Sequence, residues 1–360
     1  MGRRAIVTAD VHVEGRADTT SRRPTKNPLT KFSRLFDDIQ TLAVDNKAED
    51  IYILGDLWHE KHGVNVDCLT LIHSKLSQWK KAGLRVTLLR GNHEIEVKSS
   101  PHTTLLSLFG DVATVVNRPL VKVVGETTIS LVPWYLHKTY KAAIEKVVKL
   151  AKSKGRPTNL LMTHIGIDEG VMSSSNYYRV PQKIRLADLH LKFFDLVMAG
   201  DYHLTQQYEN FLYLGRPFPG EFGDEPSQGV WLLDYEGARL VQLDLPSSYP
   251  NFIDMQIQDG YELSQAKKKI GTQDWYKLKV PASLRAEVQD VARLPNVAIT
   301  TYARAEDRRP VTERRVKESQ EGDWVAYLET WVMALGLEEI YLTEGKKVIS
   351  KSKERLFSRG

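Results

Sequence analysis

The sequence predicts an α/β layered fold with a smaller C-terminal α+β unit. Three observations carry this. Over the first 245 residues, short apolar runs alternate with stretches of helical periodicity. Those helical stretches each carry a single apolar stripe, so each covers a face rather than being enclosed. A Pro/Ser-rich break, PSSYPN, follows Leu245, and a second, shorter set of apolar runs lies beyond it. Strands alternating with one-sided helices argue for sheets covered by helices.

The elements follow in order. Ala5–Ala9 reads as a buried strand. In Lys31–Asp45, Phe32, Leu35, Phe36, Ile39 and Leu42 recur at spacings of three and four, which predicts a helix. Ile51–Leu54 is a second strand, Val66–Lys81 a second helix and Arg85–Leu89 a third strand. Ile129–Val132, a helix at Tyr140–Lys152, and strands at Leu160–Thr163, Leu196–Ala199, Gly229–Leu233 and Leu240–Leu245 continue the alternation. After the break, a strand at Trp275–Val280, a helix at Ser283–Ala292 and a strand at Val297–Tyr302 form a small unit. A charged stretch, Arg304–Asp323, then leads to an amphipathic helix, Trp324–Leu335. The expected domains are residues 1–247, a cap over 248–345 and a basic tail over 346–360.

Composition narrows the class. Apolar content of 42% and charged content of 26% are ordinary for a soluble globular chain. No apolar run is long enough to span a bilayer, and the opening residues lack a signal-peptide core, so a cytoplasmic location and no membrane partner are expected. Cys68 is the only cysteine, which excludes an internal disulfide and a thiolate metal site. The net charge of +5 is mild, but the basic residues cluster: Arg16, Arg22, Arg23, Lys26 and Lys31 near the start, and six Lys or Arg against one Glu in KKVISKSKERLFSR. Such clusters are either solvated chain or a surface for a phosphate backbone.

The chemistry lies at the strand ends. The first strand runs into Asp10 and His12 (TADVH), the second into Asp56, His59 and Glu60 (LGDLWHE), and the third into Asn92, His93 and Glu94 (LRGNHE). A later strand ends on His164 (LMTHIG), and the next on Asp201 and His203 (AGDYH). Each motif alone is more often a turn than a site. Five in order, at the edge of an α/β sheet where ligands collect, are a site. Carboxylate, imidazole and amide donors without thiolate suit manganese, iron, magnesium or zinc. Seven donors exceed one ordinary site and fit two ions sharing a carboxylate; ions about 3.5–4 Å apart can clamp both oxygens of a phosphoryl transfer.

The order D-x-H, G-D-x-x-H, G-N-H-E, a lone His, then x-H resembles the calcineurin-like metallophosphoesterases over residues 10–203. The resemblance implies a layered β-sandwich flanked by helices and two divalent cations. Carried over residue by residue, the first ion takes Asp10, His12 and His203, the second takes Asn92, His164 and Asp201, and Asp56 bridges. His93 contacts the scissile phosphate and can protonate the leaving alkoxide, with Glu94 orienting it. Where the family usually has G-H-x-H, this chain has G-D-Y-H at 200–203. Asp201 then either supplies a harder oxygen donor, tilting the site towards manganese or magnesium over zinc, or leaves a mononuclear or weak enzyme.

Within that superfamily, GDLWHE resembles the GDLFH block of SbcD-type DNA nuclease subunits, in which His59 falls at a position associated with placing DNA. FLYLGRPFPGEFGDEPSQGVWLLDYEG and the C-terminal unit also resemble that family in arrangement. The resemblance implies a DNA exo- or endonuclease of recombination or repair, of the phage type, working with an SMC-like coiled-coil ATPase. The chain has no G-x-x-x-x-G-K-[ST] loop, so that ATPase would be a separate polypeptide. Trp324–Leu335 is a candidate docking helix, Trp58 and Tyr202 candidate stacking residues, and a homodimer is left open. The rivals are a phosphatase or small-molecule phosphodiesterase, or a DNA-bound scaffold with weak catalysis.

Overall fold

The computed structural model describes residues 3–15, 28–60, 63–95, 104–171, 183–220, 222, 224 and 229–302. Along the chain, β1 (Arg4–Thr8), α1 (Pro28–Asp45), β2 (Asp50–Leu54), α2 (Val66–Lys81), β3 (Arg85–Leu89) and β4 (Thr114–Val116) come first. Then follow β5 (Leu120–Val124), β6 (Thr127–Val132), α3 (His137–Lys152), β7 (Thr158–His164), β8 (Leu196–Gly200), β9 (Gln206–Tyr208) and β10 (Phe211–Tyr213). The last are β11 (Val230–Asp234), β12 (Arg239–Leu243), β13 (Phe252–Gln256), α4 (Gly260–Lys269), β14 (Trp275–Pro281) and β15 (Val297–Tyr302).

Two six-stranded sheets form, in the orders β12-β11-β1-β2-β3-β4 and β5-β6-β7-β8-β10-β9. Their central strands run parallel; antiparallel pairing closes three of the four edges, and β4 closes the fourth in parallel with β3. The two-residue period of a strand divides the side chains between two faces. Ala5 and Val7 of β1, Tyr52 and Leu54 of β2, Leu160 and Met162 of β7 and Met198 of β8 share one core between the sheets. Ile6, Ile51 and Ile53 point the other way and pack with Phe32, Phe36, Ile72 and Trp79 of α1 and α2. Leu161, Val197 and Ala199 do the same with Tyr140, Ile144 and Val147 of α3. The result is a helix–sheet–sheet–helix sandwich, as expected. Each such core side chain contributes roughly 1.5–3 kcal/mol by leaving water.

α2 shows why its ends fall where they do. The side chain of Asn65 accepts from Asp67 N–H at 2.7 Å, and Lys80 and Lys81 sit at the negative end of the helix dipole. Its Trp79 packs 5.2 Å from the Phe36 ring and donates through Nε1 to the Phe36 carbonyl at 3.1 Å, which satisfies the one polar atom it buries.

Beyond the sandwich, β13, β14 and β15 form a three-stranded sheet with its own core, including Leu263, Ala266, Leu278 and Val280. β13 and β14 are parallel, so α4 is the crossover that such a pair requires. This corrects the helix expected at Ser283–Ala292. That stretch forms two short 3-10 segments, Ala282–Val288 and Val291–Arg293, neither with a side-chain cap. The full helix lies earlier because Asp259 accepts from Glu262 N–H at 2.8 Å and Glu262 accepts from Gln258 N–H at 2.6 Å, closing its first turn. The PSSYPN break is tied down. Asp38 of α1 accepts from the N–H and hydroxyl of Ser247 and from the Tyr249 hydroxyl at 2.7–3.2 Å. Tyr249 stacks on Phe218 with ring centroids 4.6 Å apart.

Among the described residues, no helix is long and apolar enough to cross a membrane. The basic residues at 16, 22, 23 and 26, the helix expected at Trp324–Leu335 and the tail at 346–360 lie outside the described residues. Lys31 is described, and its ammonium is engaged by Glu14 at 2.9 Å.

Candidate metal centre

The parallel cores of both sheets direct β1, β2, β3, β7 and β8 so that their carboxyl ends meet at one edge. Asp10, His12, Asp56 and Asp201 leave those ends with φ of 51°, 49°, 51° and 106°. Positive φ is costly for any residue with a Cβ and persists where the surroundings demand it. Gly55, at φ 87°, is required for a second reason: a Cβ there would collide with the ring of His164.

All seven expected ligands converge. His12 Nε2 lies 3.1 Å from His203 Nε2, and the donor atoms of Asp10, His12 and His203 fall within 4.8 Å of one another. So do those of Asp10, Asp56 and His164. The two oxygens of Asp56 face different ways: Oδ1 is 3.3 Å from His164 Nε2, and Oδ2 is 3.6 Å from His12 Nε2. The backbone N–H of Asp201 donates to both oxygens of Asp10 at 3.1 Å. Its carboxylate accepts from Asn92 Nδ2 at 3.3 Å and lies 3.6 Å from His164 Nε2.

Several donor atoms are primed for a cation. His164 donates through Nδ1 to the Leu54 carbonyl at 2.7 Å, which turns Nε2, the nitrogen that would ligate once a cation displaces its proton, towards Asp56 and Asp201. That Nε2 is buried without a hydrogen-bond partner, and so is Asn92 Oδ1, whose amide nitrogen is engaged by Asp201. Buried polar atoms seldom stay unpartnered in a folded protein. The His12 ring has Nε2 against His203 and a buried, unpartnered Nδ1, so it offers a lone pair whichever nitrogen holds the proton. A 3.1 Å spacing between the His12 and His203 nitrogens also suits two donors each about 2.1 Å from one ion. The residues therefore fit a pair of divalent cations.

The electrostatics point the same way. Burial pushes the Asp10 carboxyl well above the usual range; Asp56 and Asp201 beside it push it further, and His164 offsets only part. Burial would also raise Asp56, but His164 and His93 outweigh it and hold Asp56 down to about 2. Burial lowers His12, and His203 and Arg216 lower it more, which keeps its ring in the neutral form that binds metals. Burial also opposes the charge of His164, but Asp56, Asp201 and Asp10 raise it well above the imidazole range. A desolvated knot of carboxylates answered only by imidazole is relieved by added positive charge.

Three residues expected to act outside the ligand set occupy different places. His93 is half-buried, and its Nε2 lies 3.6 Å from Asp56 Oδ2. Its Nδ1 hydrogen-bonds to the backbone carbonyl of His59. His59 thus sets the His93 ring with its main chain, and its own ring stands 5.5 Å from that of His12. Glu94 requires a correction. Its buried carboxylate accepts the backbone N–H groups of Gly91, Asp56 and Leu57 at 2.7, 3.1 and 2.7 Å. It braces the loop carrying Asp56 rather than the ring of His93, and burial, with Asp56 nearby, pushes it up to about 7. Trp58 and Tyr202 are 1% and 2% exposed, so neither is open to stack on a base. Arg216 and Asp224, which no motif marked, lie behind His203; their only signal was membership of the segment after the last motif.

Comparison with solved structures returns a dimetal phosphatase from Danio rerio at 12% identity, covering 68% of this chain and 96% of that one, with a TM-score of 0.44. A nuclease MPE from Pseudomonas putida matches at 17% identity over 66% and 87%, TM-score 0.29. A glutamine-dependent NAD+ synthetase from Acinetobacter baumannii matches at 10% over 90% and 68%, TM-score 0.33. No curated protein matches significantly. The model of the calcineurin-like phosphoesterases, however, matches residues 3–204, which is more than half of the chain and takes in every one of the converging donors. The chain belongs to that family of metal-dependent phosphoester hydrolases, whose fold implies two divalent cations.

Proposed function

We propose that this protein is a two-metal DNA nuclease subunit that hydrolyses phosphodiesters, with manganese as its preferred ion and a separate SMC-like coiled-coil ATPase as its partner. The observation that carries the metal chemistry is the split orientation of Asp56, one oxygen towards His164 and the other towards His12. Asp10, His12 and His203 would hold the first ion, Asn92, His164 and Asp201 the second, and Asp56 would bridge. When bound, the pair supplies Lewis acidity and lowers the pKa of water to near neutrality. The choice of DNA as substrate is supported by the resemblance of the GDLWHE block to that of SbcD-type nuclease subunits.

The chain's own residues would do the following. Because His93 Nδ1 keeps its proton to donate to the His59 carbonyl, the ring would act as the imidazolium, passing its Nε2 proton to the departing sugar oxygen and returning to the neutral form. The Leu54 carbonyl fixes His164, and Glu94 fixes the backbone of Asp56, so neither donor has to reorganise as charge develops. Basic residues outside the motifs would hold the phosphate backbone without reading sequence.

The test is digestion of end-labelled single- and double-stranded DNA with manganese or magnesium, with and without an SMC-like ATPase, beside a phosphomonoester. DNA is expected to shorten, faster with manganese. Phosphate release from the monoester with DNA untouched would make the protein a phosphatase. The second site has its own test: Asp201→Ala is expected to bind about one manganese fewer per chain than the wild type. Equal occupancy would remove Asp201 from the ligands.

A further inference from the structure

Behind the His203 ring stands a carboxylate that belongs to no motif. His203 Nδ1 lies 3.8 Å from Asp224 Oδ1, while Nε2 is the nitrogen that meets His12. The carboxylate is anchored from its far side. Asp224 Oδ2 accepts the Gly220 N–H at 2.8 Å and lies 3.3 Å from Arg216 Nη1. Arg216 is buried, and its own backbone N–H donates to the His203 carbonyl at 3.0 Å. Gly220 lies against the guanidinium so closely that a Cβ would run into it. Arg216, Asp224 and His203 therefore form a closed loop of contacts behind one face of the centre.

An imidazole ligates through one nitrogen, and an acceptor at the other sets its tautomer, its orientation and its basicity. The two late histidines are backed differently. His164 has a neutral carbonyl, that of Leu54, whereas His203 has a carboxylate. We propose that Asp224 is a positioning residue that presents Nε2 of His203 to the first cation, with Arg216 as its anchor. This rests on the two-cation reading above. The centre is then asymmetric: Asp224 governs affinity on the His203 side and leaves the Asn92, His164 and Asp201 side alone.

The test is calorimetric titration of Mn2+ into the full chain, with bound ions counted by electron paramagnetic resonance. Asp224→Asn keeps the side chain's size and removes its charge; it should weaken one of two manganese sites by about 10–100-fold and spare the other. Gly220→Ala should do the same by displacing Arg216 with no change of charge, and Asp224→Glu should recover part of the loss. Metal-free melting identifies any variant that does not fold, in which case the others decide. Wild-type affinity at both sites in Asp224→Asn and Gly220→Ala, or equal weakening of both sites, would overturn the proposal. A wild type that binds fewer than two ions would instead sink the two-cation reading, and the positioning role with it.

Discussion

Asp56→Asn is expected to abolish paired manganese binding and reduce phosphodiester hydrolysis to assay background. Asn is chosen because it tolerates the positive φ of 51° at this position, as Ala does not. It also retains an oxygen for the His93 N–H, which donates to Asp56 Oδ1 at 3.0 Å. What it loses is the second donor oxygen and the charge. Asp56 is held at about 2, so in the wild type it is an anion at any working pH. An amide has one ligating oxygen and cannot serve His164's side and His12's side together. The readout is thermal. A ligand that binds only the folded state at 100 times its Kd adds about 2.7 kcal/mol, so wild-type Tm should climb with manganese. In Asp56→Asn that climb should vanish while the metal-free Tm still reports a folded protein. A variant that gains as much Tm from manganese as the wild type would remove Asp56 from its bridging place.

The parts of this centre that were legible in the sequence are those next to strand ends. β1, β2, β3, β7 and β8 are central strands buried over most of their length on both faces, and a candidate ligand lies at the end of each or within three residues of it. Locality made them readable. The short strands β4, β9 and β10 and the partly exposed edge strand β5 were not readable, because three to five residues without alternation acquire their strand form from their neighbours. The supporting contacts were hidden for a different reason. Glu94 lies two residues from Asn92, yet its carboxylate reaches back across 38 positions to Asp56. The groups that set His93 and His164 are main-chain carbonyls, which every residue possesses. Trp58 and Tyr202 sit beside ligands in the chain but are packed away from them, since Trp58 joins the α1–α2 core and Tyr202 stacks on Tyr213.

His93→Ala should keep both cations and DNA binding while lowering turnover by about 10²–10⁴, the usual worth of a positioned acid or base. Metal content decides between two roles for the same ring. Donor atoms of His12, His59 and His93 also fall within 4.8 Å of one another, an all-imidazole group able to hold an ion. If His93 is a ligand, the variant loses metal. If it delivers a proton, the variant keeps metal and the defect depends on the leaving group. A sugar alkoxide departs poorly unless protonated, whereas a nitrophenolate departs readily as an anion. His93→Ala should therefore be far slower than wild type on DNA and close to wild type on a nitrophenyl phosphodiester. An equal defect on both substrates, with both ions bound, would move His93 from proton delivery to holding the phosphate. The His59 carbonyl gives a reason to expect proton delivery: it engages Nδ1, while Nε2 lies 3.6 Å from Asp56 Oδ2, beside the proposed cation pair.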